Sequence, residues 1–112
     1  MPELKKYKMF INGEWVNSDT KKTFETLNPE NNKPWAVVPE ASASDVDRAV
    51  KAAQNAFEGE WPKLLPKERA RYLRMIGDKL RDNAEHLGKI ETIDTGKLYR
   101  ETYKPVSYTH LT

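Results

Sequence analysis

The stretch that most constrains the fold of this chain is Ser42–Gly59, which has the pattern of an amphipathic helix. Small and apolar residues recur in it at steps of three and four, which places them on one helix face. These residues are Val46, Ala49, Val50, Ala53, Ala56 and Phe57. Ser42 and Asp45 have the spacing of a capping box, and Gly59 is placed to end the helix. Because the face is rich in alanine, we expect another helix or a sheet to pack closely against it.

The residues before this helix have the patterns of β-strands. Tyr7–Val16 is predicted to be a hairpin, because the pair Asn12 and Gly13 is preferred where both central residues of a tight turn need positive φ. Thr23–Leu27 and Pro34–Val38 are two further predicted strands, each followed by a turn signal. The first part of the chain is therefore predicted to be a sheet.

Most of the sequence after Gly59 is predicted to be helical. A second helix begins near Pro66, since proline is tolerated at the first helical position. Its predicted inner face consists of Ala70, Leu73, Ile76 and Leu80. A third helix is predicted over Ala84–Asp94, with Asn83 as its N-cap and Gly96 at its end. The fold class is therefore α/β, with a β-hairpin and strands followed by three amphipathic helices.

Composition excludes several classes of chemistry. The chain has 112 residues, no cysteine and a formal net charge of +2. Without cysteine it has no disulfide, no thiolate metal ligand and no thiol nucleophile. No glycine-rich phosphate loop follows a strand, and no residues have the spacing of transition-metal ligands. From the residues alone we predict no catalytic and no cofactor-binding residues, and the function stays open.

Basic residues on the second predicted helix allow an alternative. They are Lys67, Arg69, Arg71, Arg74, Lys79 and Arg81. Glu68, Asp78 and Asp82 interrupt this series, which favours an ordinary solvated helix face. The alternative is a non-catalytic helical interaction module that binds an acidic partner or nucleic acid.

Several segments together carry a resemblance to a known family. They are FINGEW (Phe10–Trp15), TFETLNP (Thr23–Pro29), VPEASASDVDRAVKAAQNAF (Val38–Phe57), PKERARYLRMIGDKL (Pro66–Leu80) and LGKIETIDTGK (Leu87–Lys97). In this order and spacing they resemble the N-terminal part of the NAD(P)-dependent aldehyde dehydrogenase superfamily. TFETLNP and ETIDTGKLYRET are most similar to betaine-aldehyde and semialdehyde members.

The resemblance implies that this chain is an N-terminal fragment of a larger subunit. The parent would have a Rossmann-like cofactor domain, of which this chain holds an incomplete part, and would form a homo-oligomer. It would oxidise an aldehyde to a carboxylic acid with NAD or NADP through a cysteine thioester. The nucleophile, the base and the cofactor loops of the family lie downstream, so we expect the fragment alone to be inactive and to bind no nicotinamide cofactor.

The residues and the resemblance together predict boundaries, and the composition predicts a location. Residues 1–6 are expected to be a disordered leader, 7–102 the partial cofactor-domain region and 103–112 a tail foreign to the family. No apolar run reaches the length of a membrane span, and the N-terminus lacks the apolar core of a signal peptide. We expect a cytoplasmic protein without nucleic-acid or membrane partners.

One family site has counterparts in this sequence. Some members bind a monovalent cation through a threonine at a strand end, the next backbone carbonyl and an aspartate before a Thr-Gly pair. The matching positions are Thr26, Leu27 and Asp94, which would hold K⁺ or Na⁺. The alternative is that Asp94 caps or pairs locally.

Overall fold

A computed structural model describes residues 4–101 of the chain. The chain divides into two compact units, of which the first comprises Met1–Leu27 and Pro34–Lys63, and the second Asn28–Lys33 and Leu64–Thr112. The elements are β1 (Lys5–Lys6), β2 (Met9–Ile11), β3 (Glu14–Val16), β4 (Thr23–Asn28), β5 (Lys33–Pro39), α1 (Ala43–Glu58), α2 (Pro66–Asp82) and α3 (Ala84–Thr95), with a short 3-10 turn at Trp61–Lys63. Strands followed by three helices confirm the predicted α/β class.

The first unit contains a three-stranded sheet in the order β1-β5-β4. β1 runs parallel to β5, with Lys5 opposite Ala36 and Lys6 opposite Val37. The expected disordered leader over 1–6 was therefore wrong at its last two residues. Two lysines look like a disordered segment by composition, but their backbone groups satisfy the edge of β5, and this pairing does not depend on the side chains. Ala36 is completely buried and marks the centre of this sheet.

The predicted hairpin forms with the predicted turn. β2 and β3 are antiparallel and pair Met9 with Val16, Phe10 with Trp15 and Ile11 with Glu14. The two turn residues, Asn12 and Gly13, have φ values of 53° and 79°. These are the left-handed conformations that a two-residue turn of this kind needs.

α1 begins at the predicted capping box. The sequence did not indicate which of its apolar residues lie beside other elements and which stay exposed. The alanine row Ala49, Ala52, Ala53 and Ala56 lines a cleft beside the hairpin. The larger residues Val50 and Phe57 remain 61% and 71% exposed. The partner expected for this helix is thus the β2–β3 hairpin, which lies beside the alanine row and not beside Phe57.

The second unit contains α2 and α3, which contact each other. Its buried helical residues are all small: Gly77, Ala84 and Gly88. Leu73 and Ile76, predicted to face inward, are 63% and 56% exposed, so that part of the predicted inner face is wrong for the described chain. Periodicity identified an apolar stripe, but no described element of this unit covers it.

Asn83 does not act as the predicted side-chain cap of α3. It is the single residue between α2 and α3, and its side-chain Nδ2 donates to the carbonyl of Lys79 at 2.9 Å. Because α2 ends where α3 begins, the open carbonyls of α2 compete for this amide and bind it. α3 extends one residue past the predicted end to Thr95, and Gly96 follows with φ 78°.

Within residues 4–101, no helix combines the length and apolar character that a bilayer span requires.

Candidate functional site

Among the described residues of the first unit, a dense polar network lies at the N-terminus of α1. We call it the α1 cap cluster and define it as Asp19, Ser42, Ser44, Asp45 and Arg48. Asp45 is only 1% exposed although it is a carboxylate. Its Oδ2 accepts the backbone N–H of Ser42 at 2.9 Å and the hydroxyl of Ser42 at 3.1 Å. The Asp45 backbone N–H donates back to Ser42 Oγ at 3.2 Å, which completes the capping box.

The β3–β4 loop joins this cluster through Asp19. The backbone N–H of Asp19 donates to both carboxylate oxygens of Asp45, at 3.2 and 3.3 Å. The hydroxyl of Ser44 donates to the Asp19 carboxylate, and the Arg48 guanidinium pairs with Asp45. The loop is itself held closed, because Ser18 is buried and its hydroxyl donates to the carbonyl of Lys22 at 3.2 Å.

Hydrogen bonding lowers the pKa of both carboxyls in the cluster. The backbone N–H of Ser42 is the main cause of the lowered pKa of Asp45; the Asp19 N–H, the Ser42 hydroxyl and Arg48 act in the same direction, and burial opposes them. The pKa of Asp19 is lowered chiefly by the Ser44 hydroxyl and then by Ser42, while burial and the charge of Asp45 raise it. Donors that favour the ionised form thus outweigh burial at both positions.

The geometry of the cluster suits the positioning of two segments rather than proton transfer. Both oxygens of Asp45 are engaged by donors from the chain itself. A carboxylate that is saturated with donors and has a lowered pKa is a poor proton acceptor. The α1 cap cluster therefore joins the β3–β4 loop to the start of α1. Sequence analysis found Ser42 and Asp45 but missed Asp19, since no local pattern links residues 26 positions apart.

The residues predicted to bind a monovalent cation lie on two elements. Thr26 and Leu27 are consecutive residues of β4, with Thr26 partly buried and Leu27 46% exposed. Asp94 lies in the last turn of α3, in the second unit. Within residues 4–101, no group of three or more His, Cys, Asp or Glu side chains has a metal-binding arrangement. The predicted site uses one carboxylate, one hydroxyl and one carbonyl, so this finding does not bear on it, and it stays a prediction.

A cleft that sequence analysis did not anticipate lies in the second unit beside the end of α3. Its volume is about 640 Å³, and it is bounded by the turn after β4 and by residues on both sides of Gly96. A Cβ on Gly96 would lie 3.0 Å from Cγ of Pro29, so the turn and the helix end approach closely. The positive φ of Gly96 was foreseeable from the Thr-Gly pair, whereas its contact with Pro29 was not.

Comparison with known proteins places these features in a family. The sequence model of the aldehyde dehydrogenase family matches residues 15–111. The match includes most of 103–112, the stretch expected to be foreign to the family, which lies outside the described residues. Among curated proteins, aldehyde dehydrogenase family 2 member C4 of Arabidopsis thaliana is 41% identical over 101 residues, covering 89% of this chain and 20% of its own length. An aldehyde dehydrogenase of Aspergillus niger is 48% identical over 89 residues, covering 80% of this chain and 18% of its own length.

Solved structures agree. Betaine aldehyde dehydrogenase from Staphylococcus aureus, in complex with NAD⁺, superimposes with a TM-score of 0.87 at 38% identity and covers 92% of this chain and 21% of its own. An aldehyde dehydrogenase from Bacillus cereus gives a TM-score of 0.89 at 42% identity, with 95% and 22% covered. The chain thus spans about a fifth of the length of these relatives. Because the family match covers most of the sequence and the fold matches as well, this chain belongs to the aldehyde dehydrogenase family.

Proposed function

We propose that this chain is the N-terminal part of an NAD(P)-dependent aldehyde dehydrogenase subunit, which oxidises an aldehyde to a carboxylic acid. The proposal is supported by relatives about five times longer and by the NAD⁺ complex of the S. aureus enzyme. In that subunit the chain's role is structural. It holds no cysteine, so the thiolate that such oxidation requires must come from elsewhere in the protein.

One observation carries the proposal. Large apolar side chains on two helices are exposed to solvent in the described part of the chain. They include Val50 and Phe57 on α1 and Leu73 and Ile76 on α2. The buried apolar residues of the described range are only Ala36 and Ala84. Such faces are stable only when further protein covers them, because exposed apolar area costs about 25 cal/mol per Å² relative to burial. The missing four-fifths of an aldehyde dehydrogenase subunit would supply that cover.

The residues of this chain do not fit a nicotinamide cofactor. A dinucleotide is held by a glycine-rich turn between a strand and a helix N-terminus. The turn between β5 and α1 contains no glycine, and in the capping box the N–H of Asp45 is already bonded to Ser42 Oγ. NAD or NADP would therefore be bound by the remainder of the subunit. Thr26, Leu27 and Asp94 stay our proposed ligands for K⁺ or Na⁺, since a hydroxyl, a carbonyl and a carboxylate are oxygen donors that suit a hard cation.

The proposed parent is a cytoplasmic homo-oligomer that acts on an aldehyde substrate. Relatives named for the cytosol and for mitochondria both occur, so a fluorescent fusion of the full-length parent is the test of location. Family membership over residues 15–111 gives no support to the alternative of a free-standing helical module for an acidic partner or nucleic acid. The basic helix α2 also pairs internally, for example Arg81 with Asp78 at 3.5 Å.

A chimera tests the proposal. Residues 4–101 would replace the matching segment of the S. aureus betaine aldehyde dehydrogenase, and aldehyde-dependent reduction of NAD⁺ would be measured. We expect the chimera to be active. A folded chimera without activity would contradict the proposal that the chain serves as this part of the enzyme.

A pair of variants in the chimera provides the matched control. Phe57 and Gln54 are both exposed on α1 in this chain. If the rest of the subunit covers the apolar face, Phe57→Ser lowers the stability of the chimera by about 3 kcal/mol, as expected for loss of a buried aromatic side chain. Gln54→Ser changes it little. Equal effects of the two substitutions would count against coverage of this face.

A further inference from the structure

Asn12 and Gly13 form the exposed tip of the β2–β3 hairpin. Both residues are exposed, and no atom lies within 4 Å of the position that a Cβ on Gly13 would occupy. They are the two central residues of the turn between the paired Ile11 and Glu14, so the N–H of Gly13 is not part of the strand ladder. No other asparagine of the chain precedes a glycine. A side-chain amide and an unhindered backbone nitrogen are therefore adjacent and open to water.

We propose that Asn12 is a site of spontaneous deamidation through a cyclic imide formed with the backbone nitrogen of Gly13. The deprotonated Gly13 nitrogen attacks Cγ of Asn12, a new C–N bond forms, and the Cγ–Nδ2 bond breaks as ammonia leaves with the proton. Water then opens the imide at either carbonyl and yields aspartate or isoaspartate. One water is consumed, one ammonia is released, and no group is oxidised or reduced.

The hairpin is built so that this turn opens easily. β2 and β3 are three residues each, and they form a two-stranded sheet of their own. Short two-stranded hairpins are marginally stable, and local opening of such an element takes little free energy. The cross-strand pair Phe10 and Trp15, with ring centroids 4.9 Å apart, is a side-chain contact that opposes opening. Opening frees Asn12 from the fixed turn and lets its side chain reach the Gly13 nitrogen.

The product changes both charge and backbone length at the tip. Asn12 lines a cleft with Glu14 on the hairpin and Arg48 and Lys51 on α1, so a new carboxylate enters a region with two cations and one anion. Isoaspartate also inserts an additional methylene into the main chain. A two-residue turn cannot absorb it and keep Phe10 opposite Trp15, because the register of a hairpin is fixed by the length of its turn. Deamidation therefore weakens the hairpin.

Peptide mass analysis of the aged protein tests the proposal. The intact chain is incubated at mildly alkaline pH, digested after lysine and arginine, and followed by mass spectrometry. The peptide from Met9 to Lys21 contains both Asn12 and Asn17, and Asn17 precedes the buried Ser18, so it serves as an internal reference. We expect the mass change of NH to O at Asn12 to accumulate faster than at Asn17, and faster at higher pH because the attacking nitrogen must lose its proton. A methyltransferase specific for isoaspartate should label the aged peptide.

Two variants sharpen the test. Asn12→Asp cannot form the mass change at position 12 and reports the background at Asn17. Trp15→Ala removes the cross-strand contact but leaves Asn12 and Gly13 in place, so it should speed conversion. Conversion of Asn12 no faster than that of Asn17 would overturn the proposal, as would a slower rate in Trp15→Ala.

Discussion

The carboxylate of Asp45 accepts the backbone N–H of Asp19 at 3.2 and 3.3 Å, across 26 positions of sequence. The same carboxylate accepts the N–H of Ser42 in the capping box of α1. A single buried side chain thus satisfies donors from a loop and from a helix start. Removal of this acceptor should lower the stability of the fold, because a buried donor without an acceptor retains its full desolvation penalty.

The first prediction concerns the removal of this acceptor. Asp45→Ala should open the β3–β4 loop and fray α1, and it should do so more than Ser42→Ala, which removes an N-cap worth about 1 kcal/mol. The reason is that the Asp45 carboxylate accepts backbone N–H groups from both segments, whereas Ser42 Oγ accepts a backbone N–H from the helix. Hydrogen exchange at the amides of Asp19 and the first turn of α1 is the measurement. Asp47→Ala, at an exposed position of the same helix, is the control and should leave both protected.

The second prediction is that the free energy of unfolding decreases at acid pH, and we call this decrease the acid limb. Folding lowers the pKa of Asp45 and of Asp19, so the unfolded chain binds protons more readily than the folded one. The resulting stabilisation is complete above the ordinary aspartate pKa of about 3.9 and is lost as pH falls through the lowered folded values. Helix content followed by circular dichroism during acid titration should fall in that window. In Asp45→Asn the limb should be flatter, and an unchanged limb would show that other carboxyls cause it.

The features that could be predicted from the sequence are those that a few neighbouring residues determine. The turn at Asn12 and Gly13 and the capping box at Ser42 each depend on residues at most three apart, and both formed as expected. The amide of Asn83 shows the limit of local reasoning. Its type and position suit an N-cap. Its side-chain amide instead donates to the carbonyl of Lys79 at the end of α2, because the two helices meet at this one residue.

Features that depend on distant residues could not be predicted in this way. Periodicity shows that α1 has an apolar face, yet it does not say that the hairpin lies beside the alanines and that Phe57 stays exposed. The pairing of Lys5 and Lys6 with β5 and the bond from Asp19 to Asp45 have no local signature at all. The predicted cation ligands have the same difficulty, since Thr26 and Asp94 are far apart in sequence and their use as a site depends on tertiary geometry.

The third prediction concerns the end of α3. Gly96 has φ 78°, and a Cβ there would lie 3.0 Å from Cγ of Pro29. Gly96→Ala should therefore destabilise the second unit by about 1–2 kcal/mol from the left-handed backbone alone, with the contact adding to it. Pro29→Ala removes Cγ, so adding it to Gly96→Ala should recover only the part of the lost stability that comes from the contact between the two side chains. A double-mutant cycle, with stability measured by hydrogen exchange of α3, separates the backbone contribution from the contact contribution. If Pro29→Ala restored all of the stability lost in Gly96→Ala, the predicted backbone contribution would be wrong.

The fourth prediction concerns cooperativity. The chain alone should have helical circular dichroism but loose tertiary packing, because the described range buries only Ala36 and Ala84 among its apolar residues. Near-ultraviolet circular dichroism should show weak tryptophan signals, and the thermal transition should be broad. Strong aromatic signals with a sharp transition would contradict this and would mean that the isolated chain finds cover for Phe57 and Leu73.

The last prediction is that the chain alone neither oxidises aldehydes nor binds a nicotinamide cofactor. Oxidation through a thioester needs a thiolate, and the sequence contains no cysteine. Cofactor binding needs free N–H groups at a helix N-terminus behind a glycine-rich turn. α1 follows β5 through a turn without glycine, and the Ser42 hydroxyl already accepts the N–H of Asp45 there.

Calorimetric titration with NAD and with NADP measures cofactor binding. Oxidation is followed by the absorbance of the reduced cofactor after an aldehyde is added. We expect no saturable heat and no reduction. Ser42→Gly offers a matched comparison, because it frees the N–H of Asp45 and adds a glycine to the turn while costing the N-cap only a few tenths of a kcal/mol. Saturable binding by the unaltered chain would show that the turn between Pro39 and Ser42 accepts a phosphate despite its lack of glycine. Binding by Ser42→Gly alone would instead show that the capping box is what closes this helix start to the cofactor.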